Sequence, residues 1–417
     1  MKVSEVLQKR GFIHQISGES LTEIVDGDKR TIYHGVDPTA DSIHAGNFAN
    51  WMLLRHLSDA GHKVILLIGG GTGMIGDPKP DVERPLTPPE EVAARVVKLQ
   101  AQARQLLGGQ NVEFVNNHDW LSKLPLIDFL RDIGKHFTVN ELIKKDAIAT
   151  RLAGEHGISY TEFAYPLLQG YDYLELNRTR GCDVQVGGSD QWGNIVAGVD
   201  LVRKKERKTV YAITIPLIVD KTTGKKFGKS EGNAVWLDRE KTTPYGFYQF
   251  WLNVTDDNVI DYLKIFTLLS LEEISDIEST HTGAPEERHA QKILAQKVTT
   301  IVHGEETAIA VVTVSNLLFG EGNIAALSAE GKKVLLENAP TFTAKDSVQQ
   351  GLTFVDLLVE CGLANSKREA RSFIENGAIS IAGQKILDVD AVLSSGYFDE
   401  GIALLKRGKK QYVVLEL

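Results

Sequence analysis

The chain has 417 residues, more than one compact core holds, so two or three domains are expected. Its apolar fraction of 42% is ordinary, and its net charge of −9 excludes a chain coated in nucleic acid, so any such contact must come from local basic patches. The two cysteines, Cys182 and Cys361, lack disulfide-framework or zinc spacing, Met1–Arg10 carries charges rather than an apolar run, and the longest apolar stretch, Val64–Ile68, is too short for a bilayer, which together fit a cytoplasmic chain without membrane contact.

Thr31–Val36 reads as a short strand, Asn47–Ala60 as a helix closed by Gly61, and Val64–Ile68 as a buried parallel strand. A helix opens at Thr87-Pro88-Pro89-Glu90 and carries the apolar face Val92, Val96, Leu99, Ala103 and Leu106. Phe114–Val115 is the next strand; Val184–Val186 follows, and Gly187-Gly188-Ser189 leads into a helix with Ile195, Val196 and Val199. Ile213–Val219 is a further strand. This βαβ rhythm predicts an α/β fold with a doubly wound, Rossmann-like parallel sheet over residues 1–220. Helical patterns dominate from Pro244 to Gly320, within a second region of residues 221–320, and residues 321–352, mixed and rich in small residues, read as a linker. Residues 353–417 form a small α/β module: helices over Thr353–Leu363 and Ser366–Asn376, the second with a Ser366…Glu369 capping box and Gly377 as its stop, then strands at Ile379–Ile381, Ile402–Leu405 and Tyr412–Leu415.

Gly71-Thr72-Gly73-Met74-Ile75-Gly76 matches a dinucleotide fingerprint, but no helix opens directly after it and no acidic residue ends a following strand about 20 positions on, so a dehydrogenase is disfavoured. The zone about 20 positions after Gly76, Ala94-Arg95-Val96-Val97, falls inside the helix that begins at Pro88 rather than at the end of a strand, and those glycines instead let backbone lie close to a ligand. His44-Ala45-Gly46-Asn47 sits where a strand gives way to a helix, and the free N–H groups of a helix start favour phosphate. Lys225-Lys226-Phe227-Gly228-Lys229-Ser230, lysines around a glycine in a polar loop, suits a mobile clamp on a leaving pyrophosphate. Taken singly, each motif is no more than a capping histidine or an exposed basic loop; together they point to ATP and the adenylation of a small carboxylate. Basic runs lie at Arg203–Lys208 and at Lys406, Arg407, Lys409 and Lys410.

The pair H-x-G-N and K-F-G-K-S, on either side of a βαβ pattern, resembles the H-I-G-H and K-M-S-K-S elements of class I aminoacyl-tRNA synthetases. Tyr33-His34-Gly35-Val36-Asp37-Pro38-Thr39-Ala40, Gly76-Asp77-Pro78, Tyr165–Asp172 and Gln185–Trp192 resemble, in order and over nearly the whole chain, the bacterial tyrosyl enzymes. The resemblance implies that Tyr33 and Asp172 bind the phenol of L-tyrosine, and that Asp77, Tyr165 and Gln169, with Gln185 nearby, hold its ammonium group. It implies Thr39 and His44 on the phosphates, Lys226, Lys229 and Arg84 on the pyrophosphate, Gly46 and Asn47 near the nucleoside, Gly188 and Asp190 at the ribose, and Gly35, Asp37 and Ser230 also around ATP. ATP is then a substrate that carries Mg²⁺, with neither a prosthetic group nor a resident metal. Asn47 departs from the family's second histidine, and in the loop after Asp77 Arg84 fits the family arginine while Lys79 is only a candidate for its lysine.

For tRNA(Tyr), the resemblance implies Arg203 and Lys204 at the acceptor stem, the helical region for the anticodon, and Lys367, Arg368 and Arg371 in an S-four-type RNA-binding module at 353–417. It also implies a homodimer, with the interface at Phe129–Leu142 and Gly157–Phe163 inside the catalytic domain. The alternatives are a tryptophanyl enzyme, disfavoured by the polar pair Tyr33 and Asp172; a small-molecule nucleotidyltransferase, disfavoured by the clamp loop and the RNA-binding module; and a non-catalytic RNA-binding descendant, disfavoured by Asp77, Asp172, His44, Lys226 and Lys229.

Overall fold

The computed structural model describes residues 1–79, 82–107, 109, 111–154, 157–225, 227–230, 233–319, 322–408 and 410–417. These fall into two compact units: Met1–Thr242 with Asn253–Leu294, and Thr243–Leu252 with Ala295–Leu417.

The first unit opens with helix α1 (Val3–Lys9) and strand β1 (Gln15–Ile16), followed by β2 (Thr31–Val36), α2 (Ala45–Asp59), β3 (Lys63–Ile68), α3 (Pro89–Leu107) and β4 (Val112–Asn116). After α4 (Asp146–Ala153) and the long α5 (Tyr160–Arg180) come β5 (Val184–Gly188), α6 (Trp192–Glu206), β6 (Tyr211–Ile215) and α7 (Asp256–Phe266). The six strands lie in the order β1-β6-β5-β2-β3-β4. All neighbours run parallel except the β1 edge, which pairs antiparallel with β6. Central strands of such a sheet are covered on both faces, and Val64–Ile68 is buried at every position.

The strand order decides where a ligand goes. The crossovers β2–α2–β3 and β3–α3–β4 progress to one side, whereas β5 lies on the other side of β2. The switch point therefore falls between β2 and β5, where a doubly wound sheet leaves a crevice at its carboxyl ends. The register sets Tyr33 beside Gln185 and His34 beside Val186 across that line.

Strand β6 is shorter than the sequence pattern suggests, ending at Ile215 rather than Val219. Pro216 has no N–H to continue the ladder. The N-terminus is tied down by Arg10, only 4% exposed, whose Nη1 donates to the carbonyls of Lys264 and Thr267 while Nη2 donates to that of Leu269. These carbonyls lie in the last turn of α7 and just beyond it, where a cation is favoured.

In the second unit the helix Pro244–Leu252 packs on α8 (Glu305–Phe319), with Gln249 Nε2 donating to Ser315 Oγ at 3.0 Å, and α9 (Ala329–Asn338) follows. Then come β7 (Thr341–Thr343), α10 (Lys345–Gln349), α11 (Phe354–Glu360), α12 (Lys367–Glu375), β8 (Ile379–Ile381), β9 (Gln384–Lys385), β10 (Ile402–Arg407) and β11 (Gln411–Glu416). The sheet order is β9-β8-β10-β11-β7, with β7 parallel to β11. Residues 341–349, read as part of a linker, thus supply an edge strand and a helix, and Ala344 is buried in the same apolar cluster as Phe354, Leu357, Ile374 and Leu405. The alternation Thr-Phe-Thr is too brief for a periodic signal. The cap of α12 also differs in detail from the expected box. Ser366 Oγ accepts from the Glu369 N–H at 3.2 Å, but the Glu369 carboxylate reaches the backbone N–H of Asn365, one residue further back, at 2.7 Å.

Candidate active site

The crevice at the switch point is a cleft of about 510 Å³. On the β2 side it is lined by Tyr33, Gly35, Asp37 and Thr39, and on the β5 side by Gln185, Gly188 and Asp190. Helix α5 presents Tyr165, Gln169 and Asp172, spaced i, i+4, i+7 and so on one face. His44, Gly46 and Asn47 enter from the start of α2, and Asp77, Lys79 and Arg84 from the loop after β3. The structure thus gathers every residue assigned to tyrosine. It also gathers those assigned to ATP, except three in the clamp loop. Lys226 lies outside the described residues, and for Lys229 and Ser230 only the backbone is described, as a short strand paired with Asn233–Ala234.

At the inner end of the cleft Asp172 is only 3% exposed. Its Oδ1 accepts from Trp120 Nε1 at 2.8 Å and its Oδ2 from Asn117 Nδ2 at 2.9 Å. Burial pushes the Asp172 carboxyl up to about 7 in spite of these two donors. A chain of bonds leads outward from it. Asn117 Nδ2 also faces Thr72 Oγ1 at 2.9 Å, Thr72 Oγ1 donates to Asp37 Oδ1 at 2.7 Å, and Tyr165 donates its hydroxyl to Asp37 Oδ2 at 2.9 Å. Burial raises the Asp37 carboxyl to about 6. Asp37, expected beside ATP, therefore has both oxygens engaged inside the protein and braces Thr72 and Tyr165.

Asp77 is held by Gln191 Nε2 at 2.8 Å and more loosely by Asn194 Nδ2 at 3.4 Å, and burial raises its pKa. Among the described residues lining the cleft, four buried polar atoms have no hydrogen-bond partner: Tyr33 OH, Asn50 Oδ1, Gln169 Oε1 and Gln185 Oε1. A buried orphan of this kind costs about 1–3 kcal/mol, so each is a place where a polar ligand atom recovers free energy. The sequence reading missed Asn117, Trp120, Thr72, Gln191 and Asn194. One signal was available for Asn117: it directly follows β4, and residues at strand carboxyl ends line the crevice of such a sheet.

The two motifs expected to grip phosphate touch. His44 caps α2, its Nδ1 accepting from the Gly46 N–H at 3.0 Å. The Ala45 N–H donates to Val235 O at 2.8 Å, and Val235 N–H donates to Gly228 O at 3.0 Å. A Cβ on Gly228, which has φ +90°, would lie 2.4 Å from Gly46 N, and one on Gly46 would lie 2.6 Å from Phe227 O. Phe227 itself is seated on Tyr262 and Phe266 of α7, with ring centroids 4.4 and 5.4 Å away. The glycines of the false dinucleotide motif make room for the protein's own side chains: a Cβ on Gly73 would lie 2.7 Å from Pro38 Cδ.

Arg203 and Lys204 project from the last turn of α6, where Arg203 pairs with Asp200 and Lys204 Nζ donates to His136 O at 3.3 Å. In the second unit Lys367, Arg368 and Arg371 are all exposed on α12, with Lys367 paired to Asp356.

Residues 26–320 match the family described as tRNA synthetases class I (W and Y), so the chain belongs to the class I aminoacyl-tRNA synthetases. Residues 332–415 match the SYY-like C-terminal domain of tyrosine--tRNA ligases. Tyrosine--tRNA ligases of Streptococcus suis and Streptococcus mutans are each 48% identical over the full length of both chains, which places the chain in the tyrosine--tRNA ligase family. Among solved structures, a C-terminally truncated mitochondrial tyrosyl-tRNA synthetase of Aspergillus nidulans is 32% identical with a TM-score of 0.70, covering 76% of this chain and 94% of its own.

The raised Asp172 carboxyl has a consequence for stability. Its ordinary value is near 3.8, so between about pH 4 and 7 the folded state holds a proton that the unfolded chain has lost, and stability falls as pH rises through that window. Asp172→Asn removes the titration. From pH 5 to pH 8 the variant should gain about 2–3 kcal/mol relative to wild type in denaturant unfolding, and a constant gap would contradict the buried acid.

Proposed function

We propose that the cleft binds L-tyrosine and ATP together, joins them as tyrosyl-adenylate, and then passes the tyrosyl group to the 3′ end of tRNA(Tyr). The observation that carries this is the set of orphan polar atoms beside the buried acids. A phenol entering beside Tyr33 gives its hydrogen to Asp172 and accepts one from the Tyr33 hydroxyl. An ammonium group finds the Asp77 carboxylate, the Tyr165 oxygen and the orphan Gln169 Oε1, with the orphan Gln185 Oε1 nearby.

The substrate carboxylate is ionised and needs no general base. It attacks the α-phosphorus; the new C–O–P bond forms as the bond to the bridging oxygen of pyrophosphate breaks, and pyrophosphate leaves with that electron pair. Catalysis is positioning plus stabilisation of phosphate charge. Thr39, His44, Asn47, Arg84 and Lys226 and Lys229 of the clamp serve the phosphates, and Gly35, Gly46, Gly188, Asp190 and Ser230 surround the nucleotide. Mg²⁺ enters as part of the ATP substrate, and the reaction calls for no prosthetic group. In the second step a ribose hydroxyl of the tRNA attacks the anhydride carbonyl and releases AMP.

Pyrophosphate exchange into ATP tests the first step. Tyrosine should support it and phenylalanine should do so at least about a hundredfold less well, because phenylalanine leaves the buried Tyr33 hydroxyl without a partner. Equal exchange with both amino acids would remove the phenol from the reading.

The tRNA contact rests on Arg203 and Lys204 and on the exposed face of α12 with Lys367, Arg368 and Arg371. Arg368→Glu with Arg371→Glu should leave exchange intact and cut tRNA charging about tenfold or more at low salt, less at high salt. Unchanged charging would exclude that face.

A homodimer is proposed from the surface at 126–160, where Leu126, Ile127, Val139, Leu152 and Tyr160 are 50–71% exposed. Sedimentation should give a dimer, with Ile127→Lys shifting it toward monomer; a monomeric wild type at micromolar concentration would end the proposal. Both cysteines are free thiols, and among the described residues no helix is long and apolar enough to cross a membrane, in keeping with the proposed cytoplasmic location.

A further inference from the structure

Arg151 in α4 and Glu162 in the first turn of α5 form an ion pair, Nη1 to Oε2 at 3.1 Å, with side chains 2% and 3% exposed. Neither side chain lines the cleft. Their remaining bonds converge on one loop. Arg151 Nη1 donates to the carbonyls of Lys79 at 3.3 Å and Val82 at 2.7 Å. Glu162 Oε1 accepts the backbone N–H of Arg84 at 3.1 Å. Arg84 in turn folds its side chain back, Nε donating to Asp77 O at 2.5 Å. A fourth bond, Arg151 Nε to Gly157 O at 2.8 Å, secures the approach to α5.

A buried ion pair is a poor way to gain stability. Its desolvation cost is high, and apolar residues of similar volume often replace it without loss. Apolar residues cannot supply directed hydrogen bonds to two carbonyls and an N–H of a neighbouring loop. Glu162 also stands one turn before Tyr165 on the helix that continues to Gln169 and Asp172. The pair therefore links the backbone carrying Lys79 and Arg84 to the helix that faces the amino acid.

We infer that Arg151 and Glu162 are positioning residues that fix the loop of Lys79 and Arg84 against α5, so that the phosphate contacts are set in register with bound tyrosine. This rests on the proposed adenylation and adds to it a determinant of nucleotide use outside the cleft.

The test uses the full chain with Arg151→Met and Glu162→Leu combined, which removes both charges and keeps the volume, and with Arg151→Lys alone. Tyrosine affinity is read by equilibrium dialysis, the KM and kcat for ATP and pyrophosphate by exchange, and folding by thermal melts. In the folded double variant the tyrosine dissociation constant should stay within about twofold, while kcat/KM for ATP and for pyrophosphate falls about tenfold or more. Arg151→Lys, which keeps the charge without the planar fork, should fall between. A folded double variant with wild-type nucleotide kinetics overturns the inference, as does an equal loss of tyrosine and nucleotide use. The wild-type chain run in parallel keeps the two readings apart. Absence of tyrosine-dependent exchange there overturns the adenylation reading, whereas normal exchange with unaffected variants overturns the positioning role alone.

Discussion

Strands β2 and β5 run side by side while the chain leaves them in opposite directions, and the cleft follows from that single topological constraint. The crossover helices cannot close over the carboxyl ends at this line, so Tyr33, Gly35, Gln185 and Gly188 open onto a cavity rather than onto packed helix. Helix α5 then forms a wall with its Tyr165, Gln169 and Asp172 face, and the start of α2, its first N–H groups already bonded to Val235 and His44, brings His44, Gly46 and Asn47 to the same mouth. The groups proposed for the amino acid and for the nucleotide meet there because one sheet places both.

The inner wall is arranged at a cost. Asp172 and Asp37 sit where burial raises their pKa, and Tyr33, Gln169 and Gln185 each leave a polar atom unpaired. Bonds through Asn117, Thr72 and Trp120 hold the acids in place, so a ligand does not have to organise them. The free energy stored in unpaired groups is returned only by a molecule with donors and acceptors in matching positions. On the proposed reading, a wall of this kind selects a phenol over a plain ring.

The parts of this site legible in the sequence are those that physics confines to short segments. A strand-to-helix junction with His44 and Gly46 is local, and so is the i, i+4, i+7 face of α5. The bracing network is not local: its links span 35, 45 and 55 residues, and no periodicity marks Thr72 or Asn117 as neighbours of Asp172. The same holds for Arg151 and Glu162, which read as ordinary helix charges until the loop at 79–84 is laid against them. Edge strand β7 escaped notice because three residues carry no alternation, and β6 ran too long in the reading because an apolar stretch continues past Pro216. The helices and strands after residue 353 were readable because their caps, the stop at Gly377 and the strands are each contained in a few residues, whereas the start of that sheet at Thr341 was not.

The contact between Gly46 and Gly228 carries a different kind of consequence. Each glycine is required by the backbone of the other motif, so a side chain at either position drives the helix start and the clamp loop apart. Substitution at one cannot be compensated by substitution at the other, since both are already the smallest residue. In this chain the two motifs therefore behave as one unit: a side chain at either glycine, such as the serine that the K-M-S-K-S element carries where Gly228 stands, requires the backbone between helix start and clamp loop to shift.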